Sequence, residues 1–312
     1  MDDDPDFPDD EFQDEQDNQR LDLEPEGDDL ADSPQSDDLE RSVEPGREVF
    51  GTALDEVLSG GDGDDQIYGE GGSDVIDGRD GQDLIDSGTG HDAVWAGGGD
   101  DIVLGGDGND SLMGQDGHDY LNGGVGDDSL LGGMGEDQIS GEAGNDTLLG
   151  GADNDYLDGG EGDDWVAGGD GSDAVAGGRG SDIVDGGAGD DWLAGMSGAI
   201  DDFELDYLNG GDGDDSIVLG SRDIATGGEG ADTFYMTETG DVGAPAEIGD
   251  YNADEDQLVV MYDRAQHPDP VVTVQVSEDG NESTILLDGY AVALVRGSAV
   301  DPSDIRLLSN VV

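Results

Sequence analysis

The chain contains no cysteine and no lysine, and these absences exclude several kinds of chemistry. Without cysteine there is no disulfide, no thiolate metal site and no cysteine nucleophile. Without lysine there is no side-chain amine to form a Schiff base. The three histidines, His91, His118 and His267, lie far apart, and neither an H-E-x-x-H nor a G-x-S-x-G motif occurs. The sequence therefore predicts a protein that is not an enzyme.

Positive charge and long apolar runs are also scarce. Nine arginines face 82 Asp and Glu residues, which gives a formal net charge of −73. We expect no binding to nucleic acid or to an anionic membrane, because both are negatively charged. No apolar run approaches the roughly 20 residues of a membrane span. The segment Met1–Pro5 has neither the basic nor the apolar part of a signal peptide, so we expect none. Partners should be cations or cationic surfaces.

The sequence does contain one nine-residue unit, repeated fifteen times without a gap from Gly60 to Ala194. Its consensus is G-G-x-G-x-D-x-U-x, in which U is isoleucine, valine or leucine. The sixth position is aspartate and the eighth is aliphatic in every copy. Such a short period predicts a solenoid, in which each repeat buries its apolar side against its neighbours.

Each repeat divides into a turn and a strand. The glycine-rich positions one to six predict a tight turn, and positions seven to nine predict a short strand whose middle residue points inward. Two repeats make one coil, so odd repeats form one parallel sheet and even repeats form a second. We therefore predict an all-β fold, a right-handed parallel β-roll of nine to ten coils, about 45 Å long at roughly 4.8 Å per coil.

This stacking brings the sixth-position aspartates into two columns. Neighbouring carboxylates about 4.8 Å apart repel by roughly 3–4 kcal/mol at an effective dielectric constant near 20. A hard divalent cation between successive turns reverses the sign, and calcium suits flexible all-oxygen sites better than magnesium. The scarcity of histidine and the absence of cysteine disfavour nitrogen- and sulfur-seeking metals. The candidate metal ligands are Asp65, Asp74, Asp83, Asp92, Asp101, Asp110, Asp119, Asp128, Asp137, Asp146, Asp155, Asp164, Asp173, Asp182, Asp191, Asp206, Asp215 and Asp232.

The array resembles the calcium-binding β-roll of RTX (hemolysin-type) proteins, strongly over residues 51–235 and weakly beyond them. The segment Gly51–Leu58 is similar to the G-T-x-x-D-D-x-L unit that opens many such arrays, with Asp55–Glu56 in its acidic places. The segment Gly230–Leu258 resembles the G-A-D-x-F … I-x-D-F … D-x-L run that closes them, although Tyr251 stands in place of the usual Phe.

The resemblance implies several bound calcium ions as cofactors and folding that is driven by calcium. RTX proteins are bacterial exoproteins, usually exported by a type I secretion machinery that reads an uncleaved C-terminal signal. The implied location is therefore extracellular, whereas the expected absence of a signal peptide alone would indicate the cytoplasm. Three functions remain open: a secreted calcium-binding protein, an adhesin or matrix protein that uses the roll as a spacer, and an accessory module of an exoenzyme.

The composition changes at both ends of the array. Residues 1–45 contain 20 Asp and Glu residues and predict a disordered acidic tail, either a calcium-buffering arm or only a solvated leader. Residues 46–59 are predicted to cap the N-terminal end of the roll, which spans 46–235. From 236 to 312 glycine becomes rarer, and period-two segments predict a small β-rich domain that caps the other end and carries the export signal.

Some repeats depart from the consensus. Ser87 and Ala96 replace glycine at position one, and Asp153 replaces it at position four, where an aspartate tolerates left-handed geometry. Residues 195–209 form one repeat with six extra residues. These are expected to bulge out as a loop around 200–203.

The outward side chains of the even sheet contain an apolar row at position nine. An apolar row on a surface expected to be wet indicates a contact with the C-terminal domain, a second copy or a ligand. The alternative is that these residues were selected only for strand propensity. We call this row the apolar ladder; it comprises Trp95, Met113, Leu131, Leu149 and Ala167.

Overall fold

The computed structural model describes residues 45–196, 203–237 and 244–310. The predicted acidic tail, most of the predicted loop around 200–203 and the end of the chain lie outside the described residues. Throughout the described ranges the chain forms strands, turns and irregular segments. Within them, no helix has the length and apolar character needed to cross a membrane.

The strands follow one another at intervals of about nine residues. They are β1 Glu48–Phe50, β2 Val57–Asp62, β3 Gln66–Tyr68, β4 Val75–Asp80, β5 Leu84–Asp86, β6 Ala93–Gly98, β7 Ile102–Asp107, β8 Ser111–Asp116, β9 Tyr120–Val125, β10 Ser129–Met134, β11 Gln138–Ala143, β12 Thr147–Ala152, β13 Tyr156–Glu161, β14 Trp165–Asp170, β15 Ala174–Arg179, β16 Ile183–Ala188, β17 Trp192–Met196, β18 Tyr207–Asp212, β19 Ser216–Leu219, β20 Ile224–Glu229, β21 Thr233–Thr237, β22 Ala246–Tyr251, β23 Gln257–Asp263, β24 Val272–Val276, β25 Glu282–Leu287, β26 Tyr290–Gly297 and β27 Ile305–Asn310.

Successive strands alternate between two sheets. The odd sheet has 13 strands, the odd-numbered ones from β1 to β23 followed by β27. The even sheet has 14 strands, the even-numbered ones from β2 to β22 followed by β26, β25 and β24. Each strand of the array pairs in parallel with the strand two places away; Ile139, for example, lies beside Leu157. The predicted all-β parallel roll is confirmed.

The core consists of the eighth-position side chains of both sheets. Ile67, Val103 and Leu148 are fully buried, as are the equivalent residues of the other coils. After the irregular repeat, Leu208 pairs with Val184 of the preceding coil, so the aliphatic column resumes where the sequence predicts it. Within the regular array, burial is therefore mostly limited to one large aliphatic side chain per strand, which makes the core thin there.

Most strands are longer than predicted. We expected three residues per strand, yet strands such as β10 have six and continue through the glycine pair into position three of the next repeat. The reason is that parallel pairing continues through the glycines, as Gly133 and Gly151 show. The turn is correspondingly shorter and occupies only positions four to six.

The glycines serve two physical purposes. At positions two and four the backbone adopts positive φ, for example 105° at Gly124 and 139° at Gly126, which glycine adopts without strain. Asp153, in place of glycine at position four, also has a positive φ of 78°, so this turn survives as predicted. At position one of the regular turns the neighbouring atoms crowd any side chain: a methyl group at Gly141 would lie 2.4 Å from Gly159 O.

The change in composition near Met236 does not mark a change in fold. Strand β22 pairs with β20 in the even sheet, and β23 pairs with β21 in the odd sheet. The chain then adds β26 and β27 in parallel, and β25 pairs antiparallel with both β26 and β24. The C-terminal strands therefore prolong both sheets and end the even one with a hairpin. At the other end, the predicted cap supplies β1 and β2, the first strand of each sheet.

Replacing Gly108 with alanine should destabilise the roll by at least about 2 kcal/mol, because a methyl group there would lie 1.3 Å from Gly90 O at a φ of 143°. Gly98→Ala is the matched control, since its nearest neighbour, Asp80 Oδ1, would be 3.9 Å away. Denaturant unfolding in calcium measures both variants. Equal stabilities would contradict this account of the turn.

Candidate metal sites

The sixth-position aspartates form two buried columns along the edges of the roll. All eighteen predicted ligands are only 0–4% exposed. The odd column contains Asp65, Asp83, Asp101, Asp119, Asp137, Asp155, Asp173, Asp191, Asp215 and Asp232. The even column contains Asp74, Asp92, Asp110, Asp128, Asp146, Asp164, Asp182 and Asp206. The structure thus brings together, in two rows, every residue that the sequence predicted as a ligand.

One carboxylate oxygen of each aspartate is held by the backbone of the preceding coil. The backbone N–H of Asp110 donates to Asp128 Oδ1 at 2.8 Å, and that of Asp128 donates to Asp146 Oδ1 at 2.7 Å. Across the irregular repeat the same bond joins the Asp191 N–H to Asp215 Oδ1 at 2.9 Å. These bonds orient each carboxylate and direct its second oxygen toward the turn.

In most turns, the second carboxylate oxygen of the aspartate, Oδ2, is buried and accepts no hydrogen bond from the described residues. It faces the α-carbon of the first glycine in its own repeat. A side-chain carbon at Gly141 would lie 2.4 Å from Asp146 Oδ2 and 2.4 Å from Gly159 O of the next coil. Two oxygens from successive turns therefore converge on one small space. The open oxygens are Oδ2 of Asp65, Asp74, Asp83, Asp92, Asp101, Asp110, Asp119, Asp128, Asp137, Asp146, Asp155, Asp164, Asp173, Asp191 and Asp215.

Burial makes the charged form of these groups unfavourable. It raises the pKa of Asp101, Asp128, Asp155 and Asp191 from 3.8 to about 7. The backbone hydrogen bond to each carboxylate lowers the pKa, and the charges of neighbouring aspartates raise it, but burial is the largest effect. A bound cation would remove this penalty.

The arrangement fits a hard cation held by mixed ligands. Among the described residues, no three Asp, Glu or His side chains converge on a single point. A site between two turns must therefore combine carboxylate oxygens with backbone carbonyl oxygens, such as Asp146 Oδ2 with Gly159 O. Calcium accepts six to eight oxygen ligands of both kinds in flexible geometry, so these residues fit calcium.

A family model described as the RTX calcium-binding nonapeptide repeat (4 copies) matches the chain in overlapping segments from residue 50 to 199 and from 205 to 235. The chain belongs to the RTX calcium-binding nonapeptide repeat family. No curated protein matches it. Among solved structures, the extracellular lipase LipA from Serratia marcescens is similar at 16% identity and a TM-score of 0.22, over 76% of this chain and 45% of the lipase. The chain thus spans less than half the length of that lipase.

Two turns of this RTX roll depart from the common site. The Ser87 hydroxyl donates to Gly105 O at 2.8 Å, a carbonyl that other turns leave open to the carboxylate. Ala96 is fully buried, and its methyl group stands where position one of other turns has only the glycine hydrogen. The turns of Asp92 and Asp101 therefore have less room for an ion than their neighbours.

Two further members of the aspartate columns were not predicted as metal ligands from the sequence. Asp223 is 2% exposed and accepts the Asp206 N–H on Oδ1 at 3.3 Å, and Asp256 accepts the Asp232 N–H at 3.1 Å. Their repeats are irregular, so the nine-residue count skips them. The signal that could have revealed them is an Asp two residues before a buried aliphatic residue or alanine, which for Asp256 is the D-x-L of the closing run.

The second oxygens of these two residues are satisfied within the chain. Asp223 Oδ2 accepts the Gly220 N–H at 2.6 Å, and Asp256 Oδ2 accepts the Asn252 N–H at 2.7 Å. Backbone donors thus occupy the place that a metal would take in the regular turns.

In a chelator, lowering the pH from 8 to 5 should increase the β content of the protein. The folded pKa of groups such as Asp128 is about 7, above the ordinary 3.8. Ionisation therefore opposes folding at pH 8, and the metal-free roll gains stability as the pH falls through 7 toward 4. Far-UV circular dichroism measures this change.

The same titration at high salt is the control, because salt screens exposed charges much more than buried ones. The increase in β content at low pH should persist at high salt. A β signal that does not change with pH at high salt would contradict the assignment to the buried columns.

Proposed function

We propose that this RTX protein is a secreted calcium-binding protein without catalytic activity, and that calcium bound between its stacked turns drives its folding. The observation that carries this proposal is the pair of buried aspartate columns. In turn after turn one carboxylate oxygen has no hydrogen-bond donor among the described residues, although it lies beside the carbonyl of the next coil.

The energetic balance supports folding that depends on calcium. The core of the regular array contains about one large aliphatic side chain per strand, and 58 of the 312 residues are glycine, whose ordering is entropically costly. Neighbouring carboxylates in one column also repel each other. Because the sites do not exist in the unfolded chain, the free energy of calcium binding becomes free energy of folding.

This dependence supports an extracellular location. Extracellular calcium modules bind calcium at about 10⁻⁴–10⁻³ M, far above cytosolic concentrations. The chain would stay unfolded inside the cell, pass through a type I secretion machinery and fold outside. RTX repeat proteins are typically secreted, which agrees with this route.

The histidines support a role without catalysis. Nδ1 of His91 and of His118 each accepts a backbone N–H of the next coil at 2.8 Å, so both rings bridge turns. His267 Nδ1 lies 2.5 Å from Asp288 Oδ2, and Asp288 Oδ1 accepts the Val271 N–H at 2.8 Å. This pair fastens the loop before β24. Each histidine thus has a structural role.

Calcium titration of the chelator-treated full chain tests the proposal by far-UV circular dichroism. We expect a cooperative transition to β structure between about 10⁻⁴ and 10⁻³ M calcium, and none with magnesium. Asp128→Asn should raise the calcium midpoint several-fold, because it removes one buried ligand charge.

Asp116→Asn is the matched control for this variant, since Asp116 is exposed at position three of its repeat. It should leave the midpoint unchanged. A stable β signal in chelator at pH 8 that is indifferent to calcium would refute calcium-driven folding.

A second candidate function is a matrix or adhesion protein whose roll associates through the apolar ladder. The register confirms the row, since Leu131 pairs with Met113 and with Leu149. Trp95 is 36% exposed, while Met113, Leu131 and Leu149 are half-buried. The C-terminal strands prolong the sheets, so their pairing places them at the sheet end and not along this face.

The charge distribution favours a second copy as the occupant of this face. From β6 to β14, the even sheet has no charged residue at positions two, seven and nine, although the chain carries a net charge of −73. Two copies can therefore meet through the middle of this face without bringing like charges together, and the exposed Asp116 and Asp170 lie at the ends of their strands.

Leu131→Asp should weaken self-association in calcium at least tenfold, because it places a carboxylate at the centre of this neutral face. Ser129→Asp adds the same charge at the neighbouring outward position of β10. It should also weaken association, but less, since Ser129 lies on the same face beside the apolar ladder and not in it; Gln138→Asp on the exposed side of the odd sheet should leave association unchanged. Sedimentation velocity measures all three variants. Equal association of Leu131→Asp and the unaltered protein would refute this second function.

A further inference from the structure

The odd column begins with an arginine. Glu48 pairs with Gln66, so Arg47 lies one coil before Asp65. The Arg47 N–H donates to Asp65 Oδ1, and Arg47 O accepts the Gln66 N–H at 2.8 Å. The same two bonds join each aspartate of the column to the next coil. Arg47 is therefore the backbone equivalent of a column aspartate, with the opposite charge.

The Arg47 side chain enters the first turn. Its Nη1 donates to Gly60 O at 2.6 Å. A methyl group at Gly61 would lie 2.9 Å from the same nitrogen, so the guanidinium also lies against the second glycine of the repeat. The positive charge of this side chain is thus held by the glycine-rich turn.

Gly60 O is the first member of a series of carbonyls that line the candidate metal sites. One coil later, Gly78 O converges with Asp65 Oδ2 beside the α-carbon of Gly60, at 3.0 and 2.3 Å from a methyl group placed there. Between the later turns, the equivalent carbonyl oxygen lies near a carboxylate oxygen, and a cation between the two would offset their negative charges. At the first turn, Gly60 O faces a guanidinium, which is always protonated and has no acceptor of its own.

The other column ends are also closed by groups of the chain itself. The even column begins with Glu56, whose Oε2 accepts the Thr52 N–H at 2.9 Å and whose N–H donates to Asp74 Oδ1 at 2.8 Å. At the C-terminal side, backbone N–H groups hold the second oxygens of Asp223 and Asp256. Arg47 is therefore one of four terminal groups, and among them it is the one that supplies positive charge.

We infer that Arg47 takes the place of a calcium ion at the first turn of the odd column, so that this end of the roll is held without metal. The inference rests on the proposed function, since it assumes calcium between the later turns. A tethered cation suits this position because a terminal turn has a neighbouring coil on one side only. A free ion there would have fewer ligands than an ion between two coils.

Arg47→Asp and Arg47→Met test this inference in the full chain. Arg47→Asp restores the column residue and should bind one calcium ion more than the unaltered protein, measured by native mass spectrometry at saturating calcium. Arg47→Met removes the cation and should raise the calcium midpoint of folding at least twofold. It should also speed amide hydrogen exchange in β1 and β2 without changing exchange in β10 and β12.

Arg179→Asp and Arg179→Met are the matched controls, because Arg179 is exposed and pairs only with Glu161 in a surface ion pair at 2.8 Å. They make the same charge changes and should alter neither the ion count nor the midpoint. An unchanged ion count in Arg47→Asp, or an unchanged midpoint in Arg47→Met, would overturn the role of Arg47. Failure of the proposed function is distinguishable, because the unaltered protein would then bind no calcium.

Discussion

The hydrogen bond from each aspartate N–H to the carboxylate of the next aspartate in its column is the constraint on which the rest of the structure depends. It fixes one oxygen, as in the 2.8 Å bond from Asp110 to Asp128, and leaves the other pointing at the first glycine of the repeat. In the regular turns that residue is glycine, because Asp146 Oδ2 and Gly159 O both crowd Gly141, and the two exceptions, Ser87 and Ala96, leave less room for an ion. The period, the glycines and the buried charge all follow from one repeated contact.

The same contact explains how irregular repeats are accommodated. The bond from Asp182 to Asp206 spans 24 residues, and the bond from Asp215 to Asp232 spans 17, yet their lengths remain 3.0 Å. The six additional residues of the long repeat fall in sequence between β17 and β18, and the missing residue of the short repeat is absorbed in the turn before β20. The strands themselves keep their register, as Val184 beside Leu208 shows. Length variation is therefore confined to the turns.

Much of this could be predicted from the sequence, because positions six and eight have one physical task each and repeat without exception. Asp206 and Leu208 were placed correctly after the insertion, since both columns reappear together. The strand length was not predicted, because the glycine pair indicates a turn unless its pairing partner is known. Arg47 and Asp223 escaped notice for a different reason: they match the backbone of the column, but they lie outside the regular repeats.

Because successive strands alternate between the two sheets, the sheet to which a strand belongs depends on whether an odd or an even number of repeats precedes it. Each strand lies beside the strand two places along the chain, so an 18-residue duplication adds one coil and returns every later residue to its own sheet. A duplication of a single nine-residue unit would instead move all later strands to the opposite sheet. If that unit lay after β14, the hairpin of β24 and β25 would then end the sheet that lacks the row from Trp95 to Leu149. Such a roll can lengthen freely by whole coils, but its two faces keep their identities only when repeats are added in pairs.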